Sequence, residues 1–354
     1  MTEKTNRLHL DLAGATHREV GLARGAALRD TLPAASDAYQ GLYRMLGITP
    51  EREREGVEAV LETLLSWRPA IVDELAGIAE ASGVELSRVV SLNARTEILA
   101  LGNRAAHECS TVTSIIDGHR FGVQTWDWHI EFDDFWHTHA VSGPGYRFAG
   151  LTEQGIVSKI GVNEAGLGLH FNILGHADDR PAGVPMHVLS RVVLAECASI
   201  AEAIELVDAA PITSSSAFTM VDGSGAVSLE ISPAGAFPIP EVDGSVQRTN
   251  HFQHATPLAA QKTELYEPDS SERLALVRER LAGDTPDATA AMVRLLVSDA
   301  GQPPLTCVAD MSKEFGERWA TLATVITDPD ARTIRVLDGM PPEAETGDWR
   351  VLTV

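Results

Sequence analysis

Apolar positions recur every three to four residues through the first hundred positions of the chain. Val20, Ala23, Ala27 and Leu28 share one helical face, Val57, Val60, Leu61 and Leu64 a second, and Ile71, Leu75, Ile78 and Ala79 a third. The same period over 85–101 predicts one further helix. From Ser110 the pattern changes to short apolar runs broken by turn residues. Runs at 111–116 and 121–126 flank Asp117 and Gly118, a pair suited to a tight hairpin. A meander follows at 146–151, 156–162 and 167–174, and runs at 218–221 and 227–231 flank a DGSG turn. Two helical segments lie within 186–207, and helices are expected at 271–281 and 286–296, the second with Pro286 near its first turn. A hairpin of 320–326 and 333–337 is the last element expected. Helices thus sit between antiparallel hairpins, which predicts an α+β fold of helices packed on antiparallel sheets.

The chain has 354 residues, 44% of them hydrophobic, enough for a large core. No Pro/Gly linker marks a boundary, so one intertwined domain over 1–354 is expected. A net charge of −22 argues against nucleic acid and against an anionic membrane surface as partners. The N-terminus shows no apolar leader and no apolar run reaches membrane-spanning length, so a cytoplasmic protein is the expectation. No Gly-rich phosphate cradle is present, and no cofactor is expected.

Of three cysteines, Cys197 and Cys307 read as buried, inert thiols. Cys109 opens the first hairpin, where the period changes. A thiol becomes a useful nucleophile only with a base or a lowered pKa. One of the twelve histidines can supply that base, and the spacing does not single one out. The other route uses the α-amino group of the cysteine itself, which titrates near neutrality but requires Cys109 to be N-terminal.

The ECST run at 108–111 followed by QTWD at 124–127 resembles the acyl-coenzyme A:6-aminopenicillanate acyltransferase family. Further similar segments are NARTE at 93–97, GVNEAGL at 161–167, SSSA at 214–217, TNHF at 249–252 and ATL at 320–322, in the same order. The resemblance implies an N-terminal nucleophile hydrolase: a four-layer αββα sandwich of antiparallel sheets behind a helical N-terminal segment. It implies cleavage between Glu108 and Cys109 into a 1–108 segment and a catalytic 109–354 segment that stay associated. Cys109 would be the nucleophile and its released amine the base, Asp127 the acid that orients that amine, and Asn250 the oxyanion-hole side chain. Thr111, Ser215 or Ser216, and Arg318 would support them, while Asn93 and Arg95 would lie against the maturing site. Glu108 departs from the pattern, since the enzyme that names the family carries glycine there. A residue with a Cβ resists the strained backbone that favours cleavage.

His129, His137 and His139, with His251 and His254 later, offer a rival metal site, but no defensible ligand spacing links them and no metal is expected. Trp126, Trp128, Phe132, Phe135 and Trp136 are expected as an aromatic lip over an acyl pocket. The expected activity is hydrolysis of a small N-acyl amide, β-alanyl or similar, through an acyl-Cys109 thioester. Acyl transfer from coenzyme A or an amide donor to an amine is the alternative. A silent, unprocessed ligand-binding relative is the third reading, and a homo-oligomer is compatible with all three. Denaturing mass analysis of the purified protein should show pieces of about 12 and about 26 kDa, sharing 38.0 kDa in proportion to length. Glu108→Gly should speed their appearance; an intact chain alone would contradict the cleavage.

Overall fold

The change of period at Ser110 is a change of layer. A computed structural model describes residues 7–102, 109–266 and 269–354. The strands are β1 (His9–Ala13), β2 (Ser110–Ile116), β3 (His119–His129), β4 (Trp136–Ser142), β5 (Phe148–Glu153), β6 (Ile160–Asn163) and β7 (Gly168–Ile173). They continue with β8 (Ser216–Asp222), β9 (Gly225–Ser232), β10 (Gly235–Pro240), β11 (Gln247–Arg248), β12 (Trp319–Asp328), β13 (Thr333–Asp338) and β14 (Trp349–Thr353). Helices before the hairpins are α1 (His17–Ala27), α2 (Leu32–Met45), α3 (Pro50–Trp67), α4 (Pro69–Ser82), α5 (Leu86–Asn93) and α6 (Arg95–Leu99). Those after them are α7 (Met186–Glu196), α8 (Ile200–Asp208), α9 (Ala255–Leu258), α10 (Thr263–Tyr266), α11 (Asp269–Gly283) and α12 (Thr289–Leu295). Among the described residues, no helix is long and apolar enough to cross a membrane.

Local chemistry sets the helix ends. Thr16 accepts from the Glu19 amide while the Glu19 carboxylate accepts from the Thr16 amide, closing a capping box on α1. Thr49 caps α3 ahead of Pro50, and Gly83 ends α4 at φ +78°. The single helix expected over 85–101 breaks at Ala94. There the Asn93 amide nitrogen donates to the carbonyls of Val89 (2.9 Å) and Gly155 (2.8 Å), and its oxygen accepts from the Val157 amide (3.0 Å). Those bonds tie the chain to a loop of the second half and turn the next residue, Arg95, inward.

Two sheets stack face to face. One has the order β1-β4-β5-β6-β7-β8-β9-β10, the other β11-β2-β3-β12-β13-β14. β3 faces β7 and β8 across the middle, α7 and α8 pack on the first sheet, and α11 and α12 on the second, giving the αββα order. Asp117 (φ +51°) and Gly118 (φ +83°) make the predicted hairpin turn. The sheets are not wholly antiparallel: β1 pairs with β4 in parallel. β4 escapes the alternation rule because five of its seven residues are buried, on both faces, and none is exposed. The expected aromatic lip is corrected on the same ground. Trp126, Trp128, Phe132 and Trp136 are each 1% exposed and fill the core, and Trp128 also lines a cleft.

Helices α1 and α4 cross at backbone distance. A Cβ on Gly21 would lie 2.0 Å from the Glu74 carbonyl oxygen, and one on Gly77 would lie 2.5 Å from that of Arg18. The same crossing holds Glu74, which pairs with Arg191 (3.2 Å) of α7 and His17 (2.9 Å) of α1. Gly21→Ala should therefore destabilise the protein by about 1–3 kcal/mol through overpacking. Gly41→Ala, in open space on α2, should stabilise it by about 0.5–1 kcal/mol. Urea denaturation of both variants checks the contrast.

Candidate active site

The register of β2 against β3 fixes where Cys109 faces. Ser110 pairs with Thr125, so one more residue places Cys109 across from Trp126. Side chains alternate along the strand. Thr111 donates from Oγ1 to Asn172 Oδ1 on β7 (2.8 Å), whereas Ser110 Oγ accepts from Arg273 Nη1 on α11 (2.9 Å). Cys109, in step with Thr111, therefore faces the space between the sheets, and it is 2% exposed. Its partner across the expected cut, Glu108, lies outside the described residues.

The Cys109 carbonyl accepts from Asn172 Nδ2 (2.8 Å) and Arg273 Nη1 (3.3 Å). Arg273 also donates from Nη2 to Asn250 Oδ1 (2.9 Å), so one buried guanidinium ties the residue at the strand start to the predicted oxyanion donor. Asn250 Nδ2 donates to the Ile173 carbonyl (2.9 Å), and its backbone amide donates to Ser270 Oγ (2.7 Å). An amide nitrogen carries two hydrogens, and the bond to Ile173 uses one and aims the other.

Asp127 follows Trp126 and points to the opposite face of β3. Its Oδ1 accepts from Thr321 Oγ1 (2.6 Å), while Oδ2 has no hydrogen-bond partner among the described residues. Burial pushes its carboxyl up to about 6, against the opposing pull of Thr321, Arg273 and the Cys307 thiol. Cys307 thus lies beside the site rather than in an indifferent part of the core. Its own thiol is pushed well up by burial and by Asp127.

Thr111, Asp127 and Asn250 thus gather around Cys109 and Arg273. Of the two serines weighed from sequence, Ser215 donates to Asp179 Oδ1 (2.6 Å) and lines a cleft; Ser216 is buried on β8. Arg318 is held away by the Lys313 carbonyl (2.7 Å) and Glu131 (3.6 Å) and is not among the residues bonded to this cluster. The cleft encloses about 700 Å³, counting its open mouth. Its walls include Leu46, Leu99, Ile173, Trp128 and Trp319, and Asp179, Ser214 and Ser215 add polar groups. Ile173 connects cleft and cluster, since its carbonyl is the one that holds Asn250. Ser214 donates to Glu97 (2.8 Å), whose carboxyl burial raises to about 7; burial likewise raises Asp179 to about 6. His129 lines the cleft and His137 and His139 are buried, but among the described residues no group of three or more His, Cys, Asp or Glu is arranged to hold a metal.

Sequence reasoning missed Arg273, Asn172 and Thr321. A signal existed for Arg273, which occupies the buried stripe of α11 with Ser270, Leu274 and Val277, a place where a cation needs partners. Asn172 and Thr321 sit in ordinary strand text and give none.

The family model for acyl-coenzyme A:6-aminopenicillanic acid acyl-transferase matches residues 116–342. The chain is 30% identical over 340 residues, 94% of its length and 93% of the relative's, to the acyl-coenzyme A:6-aminopenicillanic-acid-acyltransferase 40 kDa form of Emericella nidulans. Among solved structures it is similar to penicillin V acylase from Agrobacterium tumefaciens (TM-score 0.47, 14% identity, 70% of this chain and 86% of that one). It is also similar to a variant of conjugated bile acid hydrolase from Clostridium perfringens (TM-score 0.48, 12% identity, 69% and 92%).

The raised Asp127 carboxyl carries a sign that can be measured. Its folded value of about 6 exceeds the ordinary 3.8, so the native state binds this proton more tightly than the unfolded chain. Stability from this group is therefore present near pH 4 and is lost as pH rises through 6. Asp127→Asn, made on a Cys109→Ala chain to keep both proteins intact, should raise stability near neutral pH by about 1–3 kcal/mol. The gain should vanish at acid pH; equal melting curves at both would contradict the shift.

Proposed function

Since the chain belongs to the acyl-coenzyme A:6-aminopenicillanic acid acyl-transferase family, an enzyme family of acyl transfer, we propose that it hydrolyses a small N-acyl amide through a thioester on Cys109. In this reading the chain first opens between Glu108 and Cys109. The new α-amine accepts the thiol proton, the sulfur adds to the substrate carbonyl, and the amine product leaves after taking that proton. Water then releases the acid and restores the thiol. The observation that carries the reading is the arrangement around Cys109. An inward-facing thiol sits just before a strand, its carbonyl held by Asn172 and Arg273, and Ile173, whose carbonyl holds Asn250, lines an apolar cleft.

Each neighbour has a task that its bonds suit. Asp127 offers a buried carboxylate oxygen to the released ammonium, an attraction strengthened by the low local dielectric. Thr321 keeps that carboxylate from turning. Asn250, fixed by Ile173 and Arg273, supplies the second amide hydrogen to the oxyanion; a preorganised donor of this kind lowers such a barrier by about 3–4 kcal/mol. The leucine, isoleucine and tryptophan walls of the cleft suit the apolar part of an acyl group.

Cys109→Ala should leave an intact chain with no amidase activity on a panel of acyl amides, and Cys109→Ser should lose at least about a thousandfold. Mass analysis of the wild-type catalytic piece after brief incubation should show an acyl increment on Cys109. Undiminished activity in Cys109→Ala would overturn the assignment, and unchanged ligand binding without turnover would indicate a binding protein.

A further inference from the structure

Behind the thiol lies a buried ionic cluster to which the reaction as proposed assigns no task. Glu153, the last residue of β5, accepts on one oxygen, Oε1, from both Arg95 Nη2 (2.6 Å) and Lys159 Nζ (2.8 Å). Tyr39 donates to its other oxygen. All four side chains are buried. Lys159 lies with its ammonium 4.2 Å above the Trp126 ring, and Trp126 is the residue opposite Cys109 across the β2–β3 ladder. Arg95 stacks at 4.0 Å on Trp128, one pair further along the same inward face. The thiol and the two cations thus share the space between the sheets.

We propose that Lys159 is a positioning residue for Cys109: its buried ammonium acts through space to stabilise the thiolate, in the intact chain as well as in the cut one. The proposal rests on Cys109 being the nucleophile and adds what readies it. Before cleavage the nitrogen of Cys109 is an amide and takes no proton, so the thiol needs another source of stabilisation when its proton leaves to solvent. Lys159 is present in both states, and Glu153 and the face of Trp126 hold it in place. An ammonium and a thiolate sharing this buried space attract each other strongly.

The charged and titratable groups facing Lys159 come from each element around it: Glu153 from β5, Arg95 from α6, His187 from α7 and Cys109 from the approach to β2. Burial lowers Lys159 to about 8, with Arg95 pushing the same way and Glu153 opposing. Burial and both cations hold His187 well down, so it is neutral and does not compete. The sign follows. Lys159 carries its charge below about 8, and its help to the thiolate is greatest there and fades at higher pH.

The test is the rate of Cys109 alkylation by iodoacetamide against pH, in the full-length purified protein, with each rate referred to its own alkaline plateau. Peptide mass analysis separates Cys109 from Cys197 and Cys307. Lys159→Met should move the midpoint up by about one pH unit, roughly tenfold slower labelling near neutral pH. Lys159→Arg should keep the midpoint close to wild type, and near-UV dichroism identifies which variants are folded. An unmoved midpoint in folded Lys159→Met overturns the proposal, as does an equal shift in folded Lys159→Arg. If only the arginine variant folds, a wild-type midpoint supports the proposal and a raised one overturns it. Alkylation reads the thiol and needs no substrate, so it is independent of whether Cys109→Ala abolishes turnover.

Discussion

Alternation along β2 is the constraint from which the site follows. Because consecutive side chains point to opposite faces, Ser110 meets α11 while Cys109 and Thr111 enter the space between the sheets. A slip of one residue would exchange those faces and leave the thiol against the helices. The hairpin turn at Asp117 and Gly118 sets the register, and Arg273 and Asn172 hold the other end of the strand. The site is thus assembled at the end of one ladder from residues supplied by its two neighbouring layers.

Burial supplies the chemistry. The same dry environment that raises Asp127 toward neutrality depresses Lys159, and the two changes have one cause with opposite sign because one group is an acid and the other a cation. Glu153 moves the other way, held far below its ordinary value, since the attraction of Arg95 and Lys159 overcomes its burial. Removing one member of such a group costs about 3–5 kcal/mol because it strands the others. Under the proposal for Lys159, the groups that hold the inner space together are also those that ready the thiol.

Much of this was legible in the sequence where local pattern determines structure. The hairpin around Asp117 and Gly118, the meander, the pair of helices after it and the last hairpin all follow from period and turn residues. β4 was hidden because a strand buried on both faces has no alternation to read, and Ala94 was hidden because the break depends on Asn93 reaching a distant loop. Cys109, Asp127 and Asn250 stood out through similarity of short motifs, not through spacing, as they are far apart along the chain. Arg273, Lys159 and Glu153 are ordinary charged letters until the fold surrounds them, and their signal is burial itself.

Asn93, Arg95 and Glu97 precede Cys109, yet each bonds to residues that follow it: to the backbone of Gly155 and Val157, to Glu153, and to Ser214 with the amide of Met186. In the cut form proposed above, these contacts would join two separate chains. Under that proposal, folding happens under one covalent connectivity and persistence under another. A molecule that unfolds after the cut must find its other half by collision, against dilution that the intact chain never faced. The durability of the proposed cut form is then a matter of how slowly it opens, not of how readily it would reform.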